Sequence, residues 1–139
     1  MKRLARPTGA PPPASATLPG GGSLELPALA EEVSRRYFDE FPEDLDRYGA
    51  EARDWCVHDN QYILAWAIGD LAGHPMLARQ VAWLASLLDA RGYPLDRLAR
   101  NLELAAAVLG ERLPESSGDI DAMFSAAAAS IRPETGSAA

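Results

Sequence analysis

The fold is decided by residues 55–92, WCVHDNQYILAWAIGDLAGHPMLARQVAWLASLLDARG. On a helical wheel with about 100° per residue, the first half of this stretch is apolar on two nearly opposite faces. A helix with two apolar faces is typically packed on both sides, which predicts a central helix from about residue 50 to residue 72. Pro75 then begins a second helix that ends near Arg91, with Gly92 as its C-terminal cap.

Further helices are predicted on either side of this pair. The apolar spacing and the flanking proline and glycine residues place them at residues 27–40, 43–48 (a short turn of helix), 94–113 and from about 119 to 131. The connections at His74 and at residues 92–93 are very short, and short loops force neighbouring helices to run antiparallel. The sequence therefore predicts an all-α fold, an up-down antiparallel bundle of four to five helices.

The composition favours the same class. The chain has 26 Ala and 18 Leu against 4 Val, 4 Ile and 3 Thr. Alanine and leucine are strong helix formers, whereas β-branched residues favour strands. The composition therefore argues against a β-sandwich, a barrel and a doubly wound sheet.

The bundle is expected in the middle of the chain. Residues 1–24 contain five Pro and four Gly but no aromatic residue, and we predict that they form a disordered leader. Residues 132–139 are predicted to be a disordered tail, which leaves residues 25–131 as a single helical domain. Residues 25–139 together hold 10 basic and 20 acidic residues, a net charge of −10. Because such a body repels phosphate, nucleic acid is not expected as a partner.

The sequence lacks the residues that several kinds of functional site require. Cys56 is the only cysteine, which excludes a disulfide within the chain and a zinc site built on cysteines. Neither His58 nor His74 has a second ligand four residues further on, so we expect no metal site and no cofactor for the isolated chain. No acid–base pair or activated nucleophile emerges, and no enzyme activity is expected. We expect no membrane segment and a cytoplasmic location, because no apolar run reaches the about 18 residues of a transmembrane helix.

Asp59 is the residue that breaks the apolar pattern. On the wheel it lies between Ile63 and Trp66, within the aromatic face of the central helix. A carboxylate there needs a partner. Arg79 and Arg91 both lie on the following helix, and Arg91 is the partner we predict, in a structural ion pair. The other interpretation is a ligand pocket, which would be lined by Trp55, Asp59, Tyr62 and Trp66.

A candidate interaction surface lies on the following helix. Trp83 flanks the main apolar stripe of that helix, and Met76 and Leu87 widen the stripe. These side chains either belong to the core or form an apolar strip that contacts a protein partner or a second copy of the chain.

A set of mostly apolar residues in the middle of the chain forms a further pattern: Cys56, Asp59, Tyr62, Gly69, Pro75, Val81, Trp83, Leu87, Leu88, Arg91, Gly92, Leu98 and Leu102. Over about residues 50–114 this pattern resembles the helical domain that precedes the cobalamin (B12)-binding domain in actinobacterial regulatory proteins. Those proteins continue with an Asp-x-His-x-x-Gly loop whose histidine ligates cobalt, and neither His58 nor His74 lies in such a loop. The resemblance therefore implies the helical module without the B12-binding domain itself.

Three functions fit these observations. The first is a non-catalytic regulatory or protein-interaction module that self-associates. The second is a small-ligand sensor with a pocket near Asp59 for a cobalamin-like molecule, a tetrapyrrole or another apolar ligand. The third is an accessory subunit of a biosynthetic enzyme.

Overall fold

The computed structural model describes residues 9–132. In this part of the chain, six α-helices account for most residues: α1 (Pro27–Glu40), α2 (Glu43–Tyr48), α3 (Glu51–Leu71), α4 (Leu77–Ala90), α5 (Leu95–Arg112) and α6 (Ser117–Ile131). A short 3-10 turn at Pro114–Ser116 joins the last two helices. The mostly helical structure confirms the predicted all-α class. Residues 1–8 and 133–139, to which the predicted leader and tail extend, lie outside the described residues.

The prediction of disorder up to residue 24 is wrong for the segment that precedes α1. Strands β1 (Ser15–Thr17) and β2 (Ser23–Glu25) pair antiparallel, with Ala16 opposite Leu24. Leu24 and the following Leu26 are buried, so the hairpin is anchored in the core. The side-chain amide of Gln61 in α3 also donates to the backbone oxygen of Pro13, at 3.1 Å.

The glycines that suggested a linker form the turn of this hairpin. Gly21 and Gly22 have φ angles of 90° and 76°, a region that glycine enters without the steric cost that a Cβ imposes. Two backbone hydrogen bonds of 3.0 Å between Leu18 and residues 21 and 22 close the turn. The glycines at positions 21 and 22 therefore allow a tight turn of the chain, and burial of Leu24 and Leu26 stabilises the hairpin.

Helix α3 lies against almost every other element, as its two apolar faces predict. It packs on α1, α2, α4, α5, α6 and β1. Its buried apolar residues are Ala52, Ile63, Leu64, Ala67 and Ile68. Leu77, Leu84 and Leu88 of α4, the leucines of α5 and Phe124 of α6 complete one hydrophobic core. The central position of α3 places its remaining, half-buried aromatic residues along the boundary with α4.

The N-terminus of α4 shows why the predicted start at Pro75 is two residues early. The Asp70 carboxylate near the end of α3 accepts hydrogen bonds from the backbone N–H groups of Met76 and Leu77. These are among the N–H groups at a helix start that have no partner inside the helix. Asp70 thus ties the two helices together at one end, and the space between them lies toward the other end.

Candidate functional site

An inner cavity of about 150 Å³ lies where α3, α4 and α5 meet. Ile63, Leu84, Leu88 and Leu98 give it apolar walls. Ala52, near the start of α3, also lines it, and its small side chain leaves the space open. An apolar cavity of about 150 Å³ in another protein stays dry and binds benzene, so this space is large enough for a six-membered ring.

A wider groove of about 510 Å³ adjoins the cavity on the outside of the α3–α4 boundary. Five residues line both spaces and define what we call the junction: Trp55, Asp59, Leu84, Leu87 and Arg91. The cavity and the groove therefore lie side by side and share the junction.

The α3 wall of the groove is a row of four aromatic side chains. Trp55, His58, Tyr62 and Trp66 follow one another at intervals of three and four residues, which places them on one helix face. Their ring centroids are separated in turn by 5.1, 5.4 and 6.0 Å. Of the four predicted pocket residues, the structure places Trp55 and Asp59 at the junction and Tyr62 and Trp66 in the groove.

The α4 wall carries most of the predicted interaction surface. Trp83 lines the groove and is 58% exposed, so it is not the core residue that one interpretation of the sequence allowed. Leu87 is partly buried at the junction. Met76 stands apart from both spaces, with its sulfur near Gly69. The sequence predicted a ligand pocket and an interaction surface as two separate sites. In the structure, most of their residues form the two opposite walls of one groove.

Asp59 is not buried as the wheel predicts, and it does not pair with Arg91. Its side chain is 30% exposed, and its Oδ1 lies 3.0 Å from Nδ1 of the neighbouring His58. Arg91 lines the same junction but is exposed, and within the described residues no ion pair joins the two. The physical reason is the groove: water reaches the carboxylate, so a buried counter-ion is not required.

Among residues 9–132, the buried carboxylate is that of Asp44 in α2, only 2% exposed, and no pattern in the sequence points to it. Its oxygens accept hydrogen bonds from the Tyr37 hydroxyl at 2.6 Å and from Arg97 Nη1 at 2.8 Å. The Tyr93 hydroxyl is hydrogen-bonded to that of Tyr37. Burial raises the pKa of both tyrosines, which stay neutral. Asp44 and Arg97 are 53 residues apart, and no local pattern links them.

A reciprocal amide pair forms another part of the cavity wall. Asn60 in α3 and Asn101 in α5 each donate to the other's side-chain oxygen, at 3.0 and 2.9 Å. Asn60 also donates to the backbone oxygen of Cys56. Burial, with a smaller contribution from the nearby Asp59 carboxylate, raises the pKa of the Cys56 thiol to about 12. The thiol is therefore protonated at neutral pH and a poor nucleophile.

Comparisons with family models, with curated proteins and with solved structures find no match for the chain. Within residues 9–132, no group of three or more His, Cys, Asp and Glu side chains is arranged to hold a metal ion. In the same range, no helix combines the length and apolar character that crossing a membrane requires.

Proposed function

We propose that the chain is a helical binding module that senses a small, mainly apolar ligand held between α3 and α4, without transforming it. The observation that carries the proposal is the mostly apolar cavity of about 150 Å³ that lies beside the ring-lined groove. Small-molecule sites are typically concave and apolar, with a few polar groups that fix the orientation of the ligand. Here Asp59, Arg91 and Tyr93 are such groups.

The scaffold we propose for this module is the up-down antiparallel bundle expected from the sequence. The short connections between α3, α4 and α5 support it, because they leave each helix beside the one that precedes it. The protonated state of Cys56 supports a binding role over a catalytic one. The benzene-sized inner cavity supports a ligand whose buried part is one ring or a short branched alkyl group.

Native mass spectrometry, with an absorption spectrum, of the chain purified from its own source tests this function. We expect a fraction of the protein to carry a small organic molecule that is released on unfolding. The Ala52→Leu variant, which fills the inner cavity, should carry none. A ligand retained equally by that variant, or no ligand from the source combined with no binder in a library of small aromatic and alicyclic molecules, would contradict the proposal.

A second candidate function is self-association, and the observation that favours it is the 58% exposure of Trp83. Exposed tryptophans are enriched at the centres of protein interfaces. Light scattering across a concentration series tests it: the wild-type chain should form dimers that the Trp83→Ala variant loses. A chain that stays monomeric at the highest concentration would count against this function, and the ligand-binding function would stand.

A further inference from the structure

Asp59 gives the junction a carboxylate with a free oxygen. The residue lines both the inner cavity and the groove, and its Oδ1 is held by His58. Its Oδ2 has no hydrogen-bond or ion-pair partner in the part of the chain that the structure describes. A half-buried carboxylate with an oxygen to spare is stabilised by a cation that brings N–H donors.

The rings around this carboxylate also favour a cation. Trp55, Tyr62 and Trp66 on one wall and Trp83 on the other line the groove beside Asp59. The face of an aromatic ring carries negative charge, and it attracts an ammonium group that comes within about 6 Å of the ring centre. A carboxylate or phosphate ligand would gain nothing from these faces.

The other charges nearby leave Asp59 as the charge that dominates the junction. Asp44 at the cavity wall is paired with Arg97, at 2.8 Å. Arg91 shares the junction, but it is exposed, so water screens its charge more than that of Asp59. The body of the chain, with a net charge of −10 after residue 24, also attracts cations.

We propose that the ligand, bound as in the function proposed above, is a small aromatic or branched alkyl amine in its ammonium form. The apolar group of the amine enters the inner cavity. Its ammonium group stands at the junction, donates to Asp59 Oδ2 and contacts the faces of Trp55 and Trp83.

Three probes of similar shape but different charge test this selectivity. The probes are 2-phenylethylamine, 2-phenylethanol and phenylacetate at pH 7, titrated into the full chain and followed by amide NMR shifts. We expect the amine to bind about tenfold more tightly than the alcohol, and the carboxylate to bind most weakly. The Asp59→Asn variant should reduce the advantage of the amine over the alcohol from about tenfold to about two- to threefold, since the ion pair is removed and the contacts with the ring faces remain. Asp89→Asn, an exposed site outside the groove, removes the same charge and should leave the series unchanged.

Three results would overturn the inference. Equal affinities for the amine and the alcohol would mean that the groove recognises only the apolar part of the ligand and not its charge. The proposed binding function would then stand. Tightest binding of phenylacetate, lost in Arg91→Gln, would mean that the junction selects an anion. Binding of none of the three probes would remove the amine as ligand, and the native mass spectra and library screen above would show whether the binding function fails with it. The wild-type series decides the matter even if Asp59→Asn does not fold.

Discussion

Filling the inner cavity at Ala52 should stabilise the fold and abolish binding at the same time. The Ala52→Leu substitution adds three carbon atoms to a side chain that lines an apolar space of about 150 Å³. Burial of each added carbon contributes about 0.8 kcal/mol, or about 2.4 kcal/mol in all. Ordering the leucine side chain costs about 0.5–1 kcal/mol. The expected result is a free energy of unfolding higher by about 1.5–2 kcal/mol.

Urea denaturation followed by far-UV circular dichroism measures this change, as a shift of the midpoint with an unchanged slope. Ala127→Leu is the matched control, because Ala127 is 2% exposed in α6 and lines neither the cavity nor the groove. Overpacking there should lower stability by about 1–3 kcal/mol. If Ala52→Leu destabilises the fold as much as Ala127→Leu does, the space beside α3 is closed and the reasoning about the site fails.

Three other predictions concern groups around the core. Asp44→Asn should lower the free energy of unfolding by about 2–3 kcal/mol in urea denaturation, because it leaves the Arg97 guanidinium without its buried carboxylate; a loss under about 0.5 kcal/mol would contradict the structure. Two neighbouring arginines lower the pKa of Glu32 to about 2. Its stabilising effect is therefore complete above the ordinary glutamate pKa and lost as the pH falls toward 2, so Glu32→Gln should flatten the fall in stability between pH 5 and pH 2; unchanged curves would refute this. Cys56 in the folded chain should react with iodoacetamide at pH 8 on the order of a thousandfold more slowly than in urea, since its pKa is raised to about 12; equal rates, followed by mass spectrometry, would contradict it.

The helices were predictable because their signals are local. The proline at the start of α1 and the apolar spacing that follows it predict its bounds, residues 27–40, as the structure has them. The hairpin before α1 was not predictable in this way. Its strands are three residues each, and its stability comes from contacts with distant parts of the chain, including the bond between Gln61 and Pro13.

The candidate site was predictable in its residues but not in its shape. A helical wheel gives the direction of Asp59 from the axis of α3, but not the distance to the neighbouring helix. It therefore predicted a buried ion pair where the structure has a groove and an Asp59 that is 30% exposed. The partners of Asp44 could not be predicted from the sequence for a related reason. Tyr37, Tyr93 and Arg97 come together around it only when the helices have packed.

A methyl NMR titration with benzene tests the central claim, that an apolar ligand enters the space between α3 and α4. The methyl signals of Ile63, Leu84 and Leu98, which line the cavity, should shift and saturate together. Those of Ile120 and Ile131 in α6, which do not line it, should stay in place. Signals that do not move up to the solubility of benzene, or that move equally at all five residues, would contradict the account.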